Sequence, residues 1–171
     1  MFFIENNILN ESEKKYINDT ILNNDFPFFL SKSQVDGDNR PFFSHIILMR
    51  PEDRKPGQSF NSSTGIFFEE ILKRFCSKHE IVLNEFLRCC INISFSLGET
   101  SSEIHRDHDY DHKQAILYLN DTDGDTIMIE KNNKETHIKP EKYKMICFED
   151  KPHYMNYPTK GYRAVVVFTF R

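Results

Sequence analysis

Apolar residues recur at helical spacing in two stretches of the first half of the chain. Residues 10–24, NESEKKYINDTILNN, begin with Asn10 and carry Glu13 three positions later, the pattern of a capping box. Residues 64–79, TGIFFEEILKRFCSKH, combine an apolar stripe with a charged face. Both stretches predict helices that cover a sheet, and FFSHIILM at 42–49 predicts a strand between them. The apolar stripe of the second helix is expected to contain Ile66, Phe67, Ile71, Leu72 and Phe75.

From residue 88 onward the apolar period changes to two. In RCCINISFS, residues 88–96, Ile91 and Ile93 alternate with Asn92 and Ser94, as expected for a strand with one apolar face. Many short strands at close spacing predict a β-sandwich or barrel, here a curled antiparallel double sheet with the helices outside. The other strand segments, each bounded by turn residues, are 115–120, 125–130, 135–139, 143–148 and 162–170.

The composition is that of a globular chain without a strongly charged surface. Its 171 residues are enough to bury a core, and 16 Phe and 7 Tyr provide most of the bulk. The net charge of −4, with mixed signs, argues against tight nonspecific binding to nucleic acid. No apolar run approaches the roughly 20 residues that span a bilayer, and FFIENN after Met1 lacks the features of a signal peptide. The four cysteines lack CxxC spacing and predict reduced, buried thiols, so we expect a cytoplasmic protein.

Residues 103–109, EIHRDHD, concentrate two histidines and three carboxylates in seven positions. On an extended segment, His105 and Asp107 project to the same side and can meet one ion. An H-x-D pattern alone has a high false-positive rate, so a further ligand has to come from another strand. His153, which precedes the last strand, is the candidate. Two histidines and one carboxylate on one face of an octahedron bind Fe(II) and leave three positions open.

Arg163 follows His153 by ten residues and lies early in the last strand, YRAVVVFTF. It shares one face of that strand with Val165, Val167 and Thr169. A lone arginine on so apolar a strand is costly to bury unless a carboxylate pairs with it. No acidic residue of the chain is obviously placed for that role, so we expect the partner to be a ligand.

This ordered set, an H-x-D, a distant His and an Arg ten residues later, resembles the 2-oxoglutarate- and Fe(II)-dependent dioxygenases. ILYLNDTDGDT at 116–126 and IKPEKYKMICFEDKPHYMNYP at 138–158 are similar to the prolyl-4-hydroxylase-like branch, which includes small bacterial and phage proteins. The resemblance implies a mainly β fold with a double-stranded β-helix core, a cupin-like jelly roll, and flanking N-terminal α-helices. The implied organisation is a single domain, 1–171, with 1–87 as helical support and edge strands and 88–171 as the catalytic core.

The resemblance also implies roles for individual residues. Arg163 would form a bidentate pair with the far carboxylate of 2-oxoglutarate, Tyr118 would donate a hydrogen bond to the same carboxylate, and Asn92 would contact the cosubstrate. The implied cofactors are Fe(II), 2-oxoglutarate and O2, with ascorbate in support. The reaction would hydroxylate a substrate C–H bond and release succinate and CO2. The implied iron ligands are His105, Asp107 and His153.

Other positions near these motifs have separate interpretations. His108 and Asp109 form an HD dipeptide, which occurs in metal-dependent phosphohydrolases, but those sites lie on bundled helices and this one is flanked by strands. Tyr143 stands where relatives usually have Gly, which leaves the geometry of that turn open. His45 and His137 are expected to be ordinary strand histidines. A solvated loop just past the ligands is expected to contain His108, Asp109, Asp111 and His112.

The resemblance leaves the substrate open. A prolyl or other peptide side chain is the first expectation, and a free amino acid or a nucleobase is the alternative, because one fold serves many functions. A rival hypothesis is a non-catalytic metal-binding jelly roll, against which Arg163 and Tyr118 argue. The loops at 31–42, 51–64 and 108–113 are expected to frame the entrance. The first of these loops contains polar residues that are either solvated or in contact with substrate: Asp36, Asp38 and Arg40.

Overall fold

A computed structural model describes residues 1–34, 38–96 and 98–171. In these ranges, α1 spans Glu11–Tyr16 and continues as a π-helical segment, Ile17–Ile21, and α2 spans Gly65–Lys78. A 3-10 turn lies at Pro51–Asp53. The strands are β1 Phe2–Glu5, β2 Phe29–Ser31, β3 Phe42–Leu48, β4 Phe86–Phe95, β5 Lys113–Tyr118, β6 Thr126–Ile129, β7 Glu135–Ile138, β8 Met145–Glu149, β9 His153–Met155 and β10 Tyr162–Phe170.

The strands form two antiparallel sheets, as the predicted double sheet requires. Seven strands pair in the order β1-β8-β5-β10-β4-β3-β2, and three pair in the order β7-β6-β9. Strand β10 lies inside the large sheet, with β4 on one side and β5 on the other. The predicted mainly β jelly-roll architecture is confirmed. The division expected at residues 87 and 88 falls within β4.

The large sheet buries apolar side chains on both faces. Val166 and Phe168 of β10 belong to the cluster that contains the buried residues of α2. Val165 and Val167, which alternate with them, pack instead with Met128 of β6 in the small sheet. The helices therefore cover one face of the large sheet and the small sheet covers the other, because alternate residues of a strand point to opposite sides.

The two predicted helices form, with one correction to the stripe of α2. The capping box at Asn10 and Glu13 is present, with both reciprocal hydrogen bonds. In α2, however, Ile66 is 67% exposed and Phe68 is fully buried. The predicted stripe wrongly included Ile66 and omitted Phe68, because the sheet contacts the helix along a line that runs from Phe68 through Ile71 to Phe75, with Phe67 half-buried at its edge.

Tyr143 adopts the left-handed conformation that glycine usually takes, with φ of 70°. Its backbone N–H donates to the carbonyl of Tyr118 at 2.8 Å. Its hydroxyl accepts a hydrogen bond from Nδ2 of Asn18 at 2.8 Å, in the helical layer. The turn therefore keeps the backbone geometry expected of a glycine, while the side chain links the sheet to the helices.

Three strands carried no predictive pattern: β1, β2 and β9 have only three or four residues each. Length alone does not explain this, because β6 and β7 also have four residues each and were predicted from the turn residues that bound them. No helix in the described ranges is long and apolar enough to cross a bilayer.

We expect Phe68→Ala to lower the free energy of unfolding by about 3–5 kcal/mol, because it removes a fully buried ring from the interface between α2 and the sheet. Ile66→Ala, two positions earlier on the same helix, should change it by less than about 0.5 kcal/mol. Urea denaturation of both variants measures the difference. Equal losses would show that α2 does not pack as described.

Candidate metal centre

The segment that carries the H-x-D motif is bridged to β9. His105 and His153 form an isolated antiparallel bridge, in which the backbone N–H of each donates to the carbonyl of the other at 3.0 Å. The centroids of the two imidazole rings are 4.6 Å apart. One ligand atom from each of these histidines and one from Asp107 all lie within 4.8 Å of one another. The structure thus brings together the three residues that the sequence predicts as metal ligands.

Each of these histidines is oriented by a hydrogen bond from Nδ1. The carbonyl of Glu103 lies 3.0 Å from Nδ1 of His105. The carbonyl of Lys151 lies 3.0 Å from Nδ1 of His153. A carbonyl only accepts, so Nδ1 carries the proton in both rings and Nε2 keeps its lone pair. Burial, opposed by the charge of Asp107, lowers the pKa of His153 to about 4, so this ring is in the neutral form that binds a metal.

Asp107 is buried and paired through one carboxylate oxygen. Oδ1 accepts a hydrogen bond from Nη1 of Arg88 at 3.3 Å, and Nη1 of Arg50 donates to the backbone carbonyl of Asp107. Oδ2 is buried without a hydrogen-bond partner within 1–34, 38–96 and 98–171. Burial raises the pKa of this carboxyl, but the charges of Arg88 and its neighbours outweigh burial and lower the pKa to about 2. A buried, ionised oxygen without a donor fits a bound cation.

The donor set fits a divalent transition metal. Two imidazole nitrogens and one carboxylate oxygen form the facial triad that holds Fe(II) and leaves three coordination positions for other ligands. The sequence did not single out Gln114. Its Nε2 lies 3.2 Å from Nε2 of His153, which is one of the candidate metal-ligand atoms. A bound metal would take the lone pair that this amide contacts.

The metal centre opens into a cavity of about 750 Å³ whose floor is the inner face of β10. Arg163 lies at one end of this floor and is 5% exposed. Its Nε donates to the carbonyl of Gly124 at 2.9 Å, and its Nη2 donates to Oγ1 of Thr126 at 2.8 Å. Within the described parts of the chain no carboxylate forms an ion pair with it, and burial lowers its pKa. Gly124 permits this close approach, because a Cβ there would lie 3.1 Å from Cδ of Arg163 and 2.7 Å from the carbonyl of Asn156.

Thr126 completes the polar end of the cavity, and the sequence did not single it out. Its Oγ1 accepts hydrogen bonds from both Tyr118 Oη, at 2.7 Å, and Arg163 Nη2. With both lone pairs used, the Thr126 hydroxyl has one proton to donate, and Thr126 lines the cavity. Tyr118 is fully buried behind Thr126 and is not among the residues that line the cavity, and its hydrogen bond to a cosubstrate carboxylate stays a prediction. Asn92 lines the cavity, and its Oδ1 accepts a hydrogen bond from Oγ of Ser44 at 3.0 Å. Its contact with the cosubstrate stays a prediction.

Comparison with solved structures identifies the fold. An oxidoreductase of the 2OG-Fe(II) oxygenase family from Burkholderia pseudomallei is 15% identical, with a TM-score of 0.77 over 99% of this chain and 84% of that one. A prolyl hydroxylase from Trichoplax adhaerens, in complex with a hypoxia-inducible-factor peptide fragment, is 18% identical, with a TM-score of 0.65 over 99% and 83%. HygX from Streptomyces hygroscopicus, with nickel and 2-oxoglutarate bound, is 10% identical, with a TM-score of 0.60 over 99% and 82%.

The chain has the fold of the 2-oxoglutarate- and Fe(II)-dependent oxygenases. The resemblance predicted from the sequence is confirmed at the level of the fold, prolyl hydroxylases included. No protein-family model and no curated protein matches the sequence itself.

In this oxygenase fold, the segment after Asp107 is only in part the solvated loop that the sequence predicted. His108 and His112 are 4% and 5% exposed, whereas Asp109 and Asp111 are exposed. Nε2 of His108 lies 2.8 Å from Oγ1 of Thr169, at the far end of the β10 floor. The ring of His108 turns inward because β10 supplies a polar partner inside the fold, which a sequence pattern does not show. Nδ1 of His112 lies 2.9 Å from the carbonyl of Tyr110 in the same segment.

The loop residues expected near the entrance have defined roles where they are described. Arg40 is bound to two carboxylates: its Nε donates to Glu99 at 2.9 Å and its Nη1 to Glu103 at 2.8 Å. Oδ1 of Asp38 accepts from the backbone N–H of Arg40 at 2.9 Å. Asp36 lies outside the described residues. His45 is a strand histidine as expected, held by the carbonyl of Pro27 and Oγ of Ser62, both at 2.8 Å.

We expect the metal-free protein to lose stability as the pH falls from about 6.5 towards 4. Burial lowers the pKa of His108 and of His153 from 6.5 to about 4, so in this range the unfolded chain binds protons that the folded chain does not. Each histidine then contributes a loss of at most about 1.4 kcal/mol per pH unit. Thermal melts across this range, with His108→Gln as the comparison, test the effect. A variant with the same pH dependence as the natural protein would contradict it.

Proposed function

We propose that the protein is an Fe(II)- and 2-oxoglutarate-dependent dioxygenase that hydroxylates a C–H bond of its substrate. The observation that carries this proposal is one cavity with two complementary features. Three metal-ligand atoms converge on it. The guanidinium of Arg163, which has no carboxylate partner among the described residues, is buried and forms part of its wall. A metal and a small diacid together match both features, and HygX, which shares the fold, holds nickel and 2-oxoglutarate.

His105, His153 and Asp107 would hold the iron through two Nε2 atoms and Oδ2. Their orientation is set before any metal binds, because both Nδ1 atoms are tied to backbone carbonyls and Oδ1 is tied to Arg88. When bound, iron with 2-oxoglutarate and O2 supplies the oxidising power that places one oxygen atom on the substrate and leaves succinate and CO2. The chain's part in the reaction is to hold and orient these groups.

Arg163 and Thr126 would bind the far carboxylate of 2-oxoglutarate. The Arg163 guanidinium is held in place by Gly124 and Thr126 and carries an unbalanced positive charge inside the fold. The Thr126 hydroxyl proton supplies a further donor at the same point. A carboxylate there would relieve the cost of burying the arginine, and a fixed guanidinium fork recognises it through two parallel hydrogen bonds.

This anion site argues against the rival hypothesis of a non-catalytic metal-binding jelly roll. A protein that only binds a metal does not require a buried arginine at the end of a cavity of about 750 Å³. Such a protein would also be expected to have more than three metal ligands, because structural metal sites fill their coordination sphere with protein ligands.

For the substrate we infer a prolyl or other peptide side chain as the first candidate. The prolyl hydroxylase from Trichoplax adhaerens, which shares the fold, binds a peptide. A free amino acid or a nucleobase is the second candidate. The support of turnover by ascorbate and a cytoplasmic location stay predictions, and the four buried free thiols agree with a reducing compartment.

Asp107→Ala should lower both metal affinity and succinate formation by at least about 100-fold, because it removes the one anionic ligand of the centre. Binding of Mn(II) by calorimetry and release of succinate from 2-oxoglutarate measure the two effects. Asp111→Ala, an exposed carboxylate four residues later, is the matched control and should behave as the natural protein. Succinate formation at the normal rate by Asp107→Ala would refute the ligand assignment.

Arg163→Gln should raise the KM for 2-oxoglutarate by the equivalent of about 2–5 kcal/mol and leave Mn(II) affinity unchanged, because it removes the buried charge but no metal ligand. Arg74→Gln, on the outer face of α2 and paired with Glu13, serves as the control. If the KM for 2-oxoglutarate stays the same, the cosubstrate does not bind at Arg163.

A further inference from the structure

A second basic group lines the same cavity at the other end of the β10 floor. Arg88 pairs with Thr169 across β4 and β10, and Arg50 lines the cavity beside it. Thr169 is six residues of extended strand beyond Arg163, which separates their Cα atoms by about 20 Å. A five-carbon diacid that is anchored at Arg163 and bound to the metal is too short to continue to this end.

Among the residues that the structure describes, the ion pairs of these two arginines are one that is long and one that is shared with the metal centre. Arg88 donates to Oδ1 of Asp107 at 3.3 Å, but Asp107 also has to serve the metal. Arg50 donates to the backbone carbonyl of Asp107, and its ion pair with Glu52 is long, at 4.0 Å. The side chain of Arg50 is 33% exposed and that of Arg88 is 19% exposed, so both are partly buried.

Two neighbouring side chains of the cavity wall also have polar atoms without partners. His108 is 4% exposed, and its Nδ1 has no hydrogen-bond partner within the described ranges. The same holds for the hydroxyl of Tyr110, whose ring stacks on His108 at 4.8 Å. Buried polar atoms of native proteins are nearly all satisfied, so two unsatisfied groups beside two arginines indicate a bound polar ligand.

We propose that Arg50 and Arg88, together with His108 and Tyr110, form a subsite that binds a carboxylate group of the substrate beside the metal centre. This inference rests on the proposed function and narrows its substrate. A neutral peptide backbone would not balance two guanidinium groups, whereas a carboxylate would accept hydrogen bonds from both. The carboxylate belongs either to a free amino acid or to an acidic side chain or C-terminus of a peptide.

The test uses the full chain loaded with Mn(II) and N-oxalylglycine, an unreactive analogue of 2-oxoglutarate. Matched probes are the free L-amino acids and their carboxamides, and acetylated Pro-Asp and Pro-Asn peptide amides. Broadening of the probe proton signals by Mn(II) reports binding next to the metal. We expect at least one carboxylate probe to bind ten-fold or more tightly than its carboxamide. Tighter binding of a free amino acid than of its carboxamide indicates a free amino acid as the source of the carboxylate. Tighter binding of the Pro-Asp than of the Pro-Asn peptide indicates an acidic peptide.

Arg50→Gln and Arg88→Lys should each remove this preference, and Arg74→Gln should keep it. Arg50→Gln is the more informative variant, because Arg50 contacts only the main chain of Asp107 and its loss should leave Mn(II) affinity within three-fold. Equal binding of every pair, or binding of none, overturns the subsite. Weaker N-oxalylglycine binding by Arg50→Gln with unchanged probe binding overturns it as well, because the arginines would then serve the cosubstrate. Failure of Mn(II) and N-oxalylglycine to bind the natural protein refutes the proposed function instead.

Discussion

The backbone bridge between His105 and His153 is the contact on which the candidate site depends. Its two hydrogen bonds join the segment of the H-x-D motif to β9, a strand of only three residues in the small sheet. Without it, two histidines 48 positions apart would have no fixed relation, because each belongs to a different part of the fold. The bridge places both imidazole rings on one side, and the Nδ1 hydrogen bonds then leave both Nε2 atoms available.

Strand β10 organises the rest of the site through its alternation. One face, with Val166 and Phe168, anchors the helical layer, and the other face forms the floor of the cavity. Along that floor, polar residues at both ends enclose Val165 and Val167, so the cavity has an apolar middle between two basic ends. Because the strand is paired on both sides, the spacing between those ends is rigid. A fixed spacing is what a site needs if it must hold two small molecules against one metal.

The positions where prediction and structure differ have identifiable physical causes. Ile66 and Phe68 are both apolar but point to different sides of α2, and only the position of the sheet decides which side is buried. At Tyr143 the sequence left the turn geometry open, and the structure shows the left-handed conformation that favours glycine, with hydrogen bonds to Asn18 and the Tyr118 carbonyl. The residues next to His108 in the sequence are polar, as in a solvated loop. In the fold, however, His108 contacts the hydroxyl of Thr169, which is 61 positions away in the chain.

By itself, the sequence predicted the two helices, most of the strands and the pairing of His105 with Asp107, because periodicity and the i, i+2 spacing are local properties. The choice of His153 as the third candidate ligand rested on the resemblance to a known family. The sequence also pointed to Arg163, since an unpaired charge on an apolar strand is visible in one segment. Only the tertiary structure decided that Thr126 stands between Tyr118 and the cavity, that Asp107 has one oxygen without a donor, and that Arg50 and Arg88 meet beside it. Those facts depend on contacts between segments distant in the chain, which no local pattern encodes.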